Sequence, residues 1–300
     1  MSSSSDAPFG RVVTAMVTPF TADGSLDADG AARLAEALVE QGNDGLVVNG
    51  TTGESLTTSD AEKDTVLRAV LEAVGERASV VAGIGTSDTV HTVELARAAE
   101  KAGAHGLLAV TPYYSKPPQA GLVAHFTSVA DATGLPVMLY DIPGRTGTPI
   151  TTPTMLRLAE HERIVAVKDA KDDLVAASQV LAATDLVYYS GTDALTLPLL
   201  AVGAVGVVTV AGHVCGPGIA AMVAAHAEGR VAEARRIHHE LLPVLTGLFR
   251  TQGVILAKAA LALRGLPAGP VRPPLVDATA EEVEQLRRDL AAAGLPVDGS

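Results

Sequence analysis

The chain reads as an α/β protein, a (β/α)8 barrel of the TIM type followed by a helical C-terminal region. Three features predict this: eight short Val-rich apolar runs, amphipathic segments between them, and a Gly-x-x-Gly signature that recurs where helices hand over to strands. The apolar runs lie at 12–17, 46–48, 80–82, 107–110, 137–139, 164–167, 186–189 and 207–210. Near-continuous apolar strands of this kind suit a parallel sheet covered on both faces. Between them, Ala31-Leu34-Leu38, Val66-Leu67-Val70-Leu71-Val74 and Val93-Ala96 keep the three- and four-residue spacing of helices with one buried face. Asp60, Asp88 and Thr152 stand near helix starts with capping chemistry, and Gly42, Gly103 and Gly203 fall where left-handed helix ends are expected.

Those three glycines open the repeats Gly42-Asn43-Asp44-Gly45, Gly103-Ala104-His105-Gly106 and Gly203-Ala204-Val205-Gly206, each leading into an apolar strand. Their separations, 61 and 100 residues, are near two and three strand-helix modules of roughly 30 residues. An open doubly wound sheet is the alternative, but eight units without hairpin signals fit closure better. Residues 1–8 are expected to be a flexible Ser-rich tail, 9–230 the barrel, and 231–300 a helical region broken between Pro267 and Pro274.

Composition narrows the function. Of 300 residues 48% are apolar, and 22 Lys plus Arg against 34 Asp plus Glu give a net charge of −12. An acidic surface repels nucleic-acid phosphates and anionic membranes, so neither partner is expected. The apolar runs are too short to span a bilayer, and the N-terminus lacks the pattern of a signal peptide. The single cysteine, Cys215, excludes an internal disulfide, so a cytoplasmic protein is expected. Gly83-Ile84-Gly85 lacks the third glycine of a dinucleotide fingerprint, no phosphate loop occurs, and the eight histidines show no metal-ligand spacing. No metal is assigned.

In such a barrel, chemistry sits at the C-terminal ends of strands. Those ends carry Asn49-Gly50-Thr51-Thr52-Gly53-Glu54, Thr111-Pro112-Tyr113-Tyr114, Tyr140-Asp141-Ile142-Pro143-Gly144-Arg145, Lys168-Asp169 and Ser190-Gly191. Of six lysines, Lys63, Lys101 and Lys258 lie in helical segments and Lys116 and Lys171 in polar loops, where solvated lysines belong. Lys168 instead ends an apolar strand, where desolvation would lower its pKa and free an amine to attack a carbonyl. A snorkelling or ion-paired lysine beside Asp169 fits the strand equally well. Gly50-Thr51-Thr52-Gly53 could cradle a small carboxylate or be an ordinary turn. Tyr140 could relay protons or be structural.

The motifs at 50–54, 113–114, 140–145 and 168 occur in the order and at the distances of one family. The chain resembles the dihydrodipicolinate synthase (4-hydroxy-tetrahydrodipicolinate synthase) family of pyruvate-dependent class I aldolases over nearly its whole length. The resemblance implies condensation of pyruvate with L-aspartate 4-semialdehyde in the diaminopimelate route to lysine, without metal or organic cofactor. It implies a Schiff base on Lys168 and a proton relay of Tyr140, Thr52 and Tyr114, with Tyr114 reaching a neighbouring subunit of a homotetramer, a dimer of dimers. Thr51 and Thr52 would hold the pyruvate carboxylate, Arg145 the aldehyde's carboxylate, and backbone near Gly191 and Val208 would complete the pocket. Asp141 departs from the Asn common in the family. In lysine-inhibited members the effector sits among positions matching Ser55, Leu56, Asp60, Lys63, Ser87, His91 and Tyr113, with Glu in place of His91, so weak or no lysine inhibition is expected. Rival readings are N-acetylneuraminate lyase, a 2-keto-3-deoxy-sugar-acid aldolase, or a non-catalytic barrel that binds a small anion.

Overall fold

A computed structural model describes residues 7–297. Most of the expected tail therefore lies outside the described residues. Strands and helices alternate as β1 (Val12–Ala15), α1 (Ala28–Glu40), β2 (Gly45–Val48), α2 (Asp60–Val74), β3 (Ser79–Gly83), α3 (Thr89–Ala102), β4 (Gly106–Val110) and α4 (Gln119–Asp131). They continue through β5 (Val137–Asp141), the short α5 (Pro143–Thr146), α6 (Thr152–Leu158), β6 (Ile164–Asp169), α7 (Leu174–Leu181), β7 (Val187–Ser190), α8 (Thr196–Ala201), β8 (Gly206–Thr209) and α9 (Gly212–Ala227). Each strand pairs in parallel with the next, and β8 returns to β1 through Val13↔Val208, closing the barrel. All eight predicted strands are present.

Alternation along the strands sorts side chains into two cores. Val13, Ala15, Val47, Val81, Leu108, Met138, Tyr140, Ala166, Tyr189 and Val208 point inward. The larger core lies between barrel and helices, which explains strands apolar on both faces. Phe9 plugs the N-terminal end at 1% exposure, and this plug gives the Gly-x-x-Gly repeat a physical reason. The first glycine of each repeat turns at positive φ, +84° at Gly42, +95° at Gly103 and +117° at Gly203, where other residues are strained. The second leaves room for the N-terminal segment: a Cβ at Gly45 would lie 2.6 Å from the Phe9 carbonyl oxygen, one at Gly106 2.3 Å from the Phe9 ring, and one at Gly206 2.0 Å from the Arg11 carbonyl oxygen.

Helices α10 (Val231–Gly247), α11 (Gly253–Leu263) and α12 (Ala280–Ala292) form the C-terminal region. Their buried residues, including Val244, Leu256, Leu261 and Leu286, join the outer core. Lys258 corrects the sequence reading: it is buried at 3% exposure, because α11 turns this face toward Glu54, 2.6 Å away. A helical pattern alone does not show that a distant carboxylate will neutralise an inward lysine. Among the described residues, no helix is long and apolar enough to cross a membrane.

Candidate active site

Lys168 and Tyr140 are register partners across β5 and β6, so both side chains enter the barrel at the same height. The Lys168 Nζ lies 4.3 Å from the Tyr140 ring centroid, and each residue is 5% exposed. Burial lowers the Lys168 pKa to about 8, opposed by the Asp193 carboxylate and assisted by the Arg145 cation. Burial pushes the Tyr140 phenol up to about 12, so it stays protonated at neutral pH and is fit to donate. The pairing of Lys168 with Asp169 left open by the sequence is absent from the structure. Asp169 faces the other way along the strand, and its Oδ1 accepts from the backbone N–H groups of Lys171 and Asp172 at 3.2 Å.

The loop after β2 leaves the barrel through Asn49, whose φ is +58°. Gly53 fits beneath it, since a Cβ there would approach Asn49 N and Met16 O at 3.2 Å. Thr18 Oγ1 donates to the Gly53 carbonyl at 2.7 Å, and the Glu54 N–H donates to the Thr51 carbonyl at 3.1 Å. The Thr51 side chain acts on the Tyr140 phenol and opposes the rise that burial gives its pKa. Thr52, the residue expected in the relay, follows it in the turn at 9% exposure.

The other expected residues surround the same mouth. Gly191 follows β7, where a Cβ would come within 2.9 Å of the Asp169 carbonyl oxygen and 3.0 Å of Lys168 Cγ, so only hydrogen leaves the amine its space. Val208 is an inward β8 residue at 1% exposure, in the inner cluster with Tyr140 and Tyr189. Arg145, on α5, is solvent-exposed and close enough for its charge to act on both Lys168 and Tyr140. Tyr114 stands apart, 94% exposed, on backbone held at φ +70°. Its side chain projects from this chain into solvent.

Asp193 was missed by the sequence reading. It starts a 3-10 turn at Asp193–Leu195 and is 1% exposed. Its Oδ2 accepts from the backbone N–H groups of Val210 at 3.1 Å and Ala211 at 2.9 Å, while Oδ1 is buried without a hydrogen bond. Burial raises its pKa, and the charge of Lys168 acts against that rise. The only signal in the sequence was an acid two residues beyond the rim glycine. Among the described residues, no three His, Cys, Asp or Glu side chains cluster so as to hold a metal ion. A desolvated amine, a protonated phenol, a hydroxyl and a nearby cation together suit attack on the carbonyl of a small anionic substrate.

A profile described as the dihydrodipicolinate synthetase family matches residues 8–293. A 4-hydroxy-tetrahydrodipicolinate synthase of Acidothermus cellulolyticus is 74% identical over 288 residues, 96% of this chain and 94% of that protein. The protein named 4-hydroxy-tetrahydrodipicolinate synthase 2 in Streptomyces coelicolor is 67% identical, covering 98% of each. Among solved structures, the lysine-bound DHDPS of Cyanidioschyzon merolae superposes with a TM-score of 0.94 at 46% identity, covering 96% of this chain and 99% of that one.

Proposed function

The chain belongs to the dihydrodipicolinate synthetase family, and on that premise we propose that the mouth of its barrel, centred on Lys168, is where pyruvate is activated. The enzyme is a lyase that condenses pyruvate with L-aspartate 4-semialdehyde to give 4-hydroxy-tetrahydrodipicolinate, in the diaminopimelate route to lysine. One observation carries the site assignment: the buried amine of Lys168, with its pKa lowered to about 8. That value leaves about a tenth of the amine neutral at pH 7, against about one part in three thousand at the ordinary 10.5.

The steps follow from the residues. The neutral Nζ attacks the ketone carbon of pyruvate, and the carbinolamine loses water as a proton reaches the departing hydroxyl. Tyr140 is the donor best placed for that proton, and the Thr51 side chain acts on its phenol. The resulting protonated imine withdraws electrons, so the methyl carbon loses a proton and becomes an enamine carbon. This carbon attacks the aldehyde of aspartate semialdehyde, whose oxygen takes up a proton. The substrate's amino group then closes onto the imine carbon and expels Lys168 as the free amine. Backbone donors of 50–53 and the hydroxyls of Thr51 and Thr52 hold the pyruvate carboxylate, Arg145 pairs with that of the aldehyde, and Gly191 and Val208 bound the pocket. Hydrogen bonds to a charged group of this kind are worth about 1.5–3 kcal/mol each.

The partner is a second copy of this chain. Tyr114 completes the relay of a neighbouring subunit in a homotetramer built as a dimer of dimers, a reading supported by a large aromatic exposed on left-handed backbone. Initial rates with pyruvate and a panel of aldehydes test the substrate assignment. Aspartate semialdehyde is expected to be the preferred acceptor, and preference for a sugar or N-acetylhexosamine aldehyde would move the chain to the sugar-acid branch of these aldolases.

A further inference from the structure

Behind the loop that carries Thr51 lies a buried electrostatic lock that the reaction steps do not use. Glu54 holds a left-handed backbone, φ +54°, which costs energy for a residue other than glycine and persists only where surroundings impose it. Its carboxylate makes an ion pair with Lys258 of α11 at 2.6 Å, with the two side chains 2% and 3% exposed. Lys258 Nζ also donates to the Pro270 carbonyl at 2.7 Å and lies 4.2 Å from the Phe20 ring centroid. The second Glu54 oxygen accepts from the backbone N–H of Arg272 at 2.8 Å. The Arg272 guanidinium donates to the Thr57 carbonyl and to Glu62 at the start of α2, and its Cζ lies 4.1 Å from the same Phe20 ring. Two cations from the C-terminal region thus grip the loop at both ends.

Burying a lone lysine and a lone glutamate is costly, and an ion pair between them commonly does no better than an apolar pair of equal volume. What the pair adds is direction. Glu54 is three residues from Thr51 and receives no freedom from the turn, because its own N–H donates to the Thr51 carbonyl. Fixing the Glu54 side chain therefore fixes the peptide that carries Thr51, whose side chain acts on the Tyr140 phenol. We propose that Glu54 and Lys258 are positioning residues of the condensation, and that α11 sets the rate of proton transfer by holding the 51–54 turn. This rests on the assignment of the reaction to Lys168.

The test uses Glu54→Gln/Lys258→Met, which removes both charges at nearly constant volume and keeps an acceptor for Arg272 N–H. The full-length variant is expected to melt near the parent while kcat falls about tenfold and KM for pyruvate changes less than about twofold. Repeated in a Thr51→Val background, the same two changes should alter kcat by less than about twofold, because their route to the chemistry is already gone. Parental kcat in the first variant, or an undiminished further loss in the second, would overturn the proposal. If the pair variant does not fold, Glu54→Gln/Lys258→Gln, which also removes both charges and keeps a donor for the Pro270 carbonyl, carries the same comparison, and loss of fold there as well would make the lock a folding determinant and overturn it too. Borohydride trapping of pyruvate on the parent separates the two claims: an adduct on Lys168 with no kinetic effect of the lock refutes only the positioning role.

Discussion

Replacing Asp141 with Asn should stabilise the protein at alkaline pH and leave it nearly unchanged in acid. Asp141 is fully buried beneath the β5 rim. Its Oδ1 accepts from the Ile150 N–H at 3.1 Å, and Oδ2 faces the Lys171 ammonium at 3.7 Å without a hydrogen bond. Burial dominates and raises the carboxyl pKa from 3.8 to about 6, with Asp169 adding to the rise and the Ile150 N–H and Lys171 opposing it. A raised folded pKa means that the native state binds the proton more tightly, so this group lowers stability as pH climbs from 3.8 through 6. The shift of about two units amounts to about 3 kcal/mol at pH 8 and about half of that at pH 5. Asn keeps the acceptor for Ile150 but turns amide donors toward Lys171 without a partner, which costs about 1 kcal/mol. The net expectation is a gain of about 2 kcal/mol at pH 8 and close to none at pH 5. Thermal midpoints measured at matched ionic strength and protein concentration should rise by about 3 °C at pH 8, and by less than about 1 °C at pH 5. A variant less stable than the parent at pH 8, or one whose advantage does not change with pH, would refute the reasoning.

Asp193→Asn and Arg145→Ala should move the ascending limb of the pH profile of kcat/KM for pyruvate in opposite directions, down and up, because the Asp193 charge raises the Lys168 pKa and the Arg145 charge lowers it; equal or absent shifts in pH profiles would contradict this. Arg145→Ala should also cost about tenfold to a hundredfold in kcat/KM for the aldehyde while imine formation persists. Mixed subunits of Lys168→Ala and Tyr114→Phe, each nearly inactive alone, should recover activity, since hybrid dimers hold one site free of both substitutions; verified hybrids without activity would count against a shared site. Lysine should inhibit weakly: Asp60, which could have replaced the missing acid, is already held by His91 at 2.8 Å and Lys63 at 3.4 Å. Initial rates that fall by half below about a millimolar lysine would show this reading to be wrong.

What the chain discloses before folding depends on how local the constraint is. Eight strands were legible because each is buried on two faces and so is apolar throughout, and the repeat glycines because a left-handed turn and the Phe9 plug admit little else. Lys168 and Tyr140 were legible as strand ends, and their shared height follows from parallel register. The Thr51 and Thr52 roles were not separable, since a tight turn has no periodicity to say which hydroxyl faces the mouth. Lys258 looked solvated because its partner Glu54 is about two hundred positions earlier in the chain. Asp193 sits on a short turn, and only the folded barrel brings it beside the amine.

The central claim is that Lys168 forms an imine with pyruvate, and reductive trapping tests it directly. The protein is mixed with pyruvate and borohydride, digested, and mapped by mass, with Lys168→Ala treated in parallel. A single reduced pyruvate adduct is expected on the peptide carrying Lys168, and none in the variant. No adduct on the parent, or one on Lys171 or Lys258 that persists in Lys168→Ala, would contradict it.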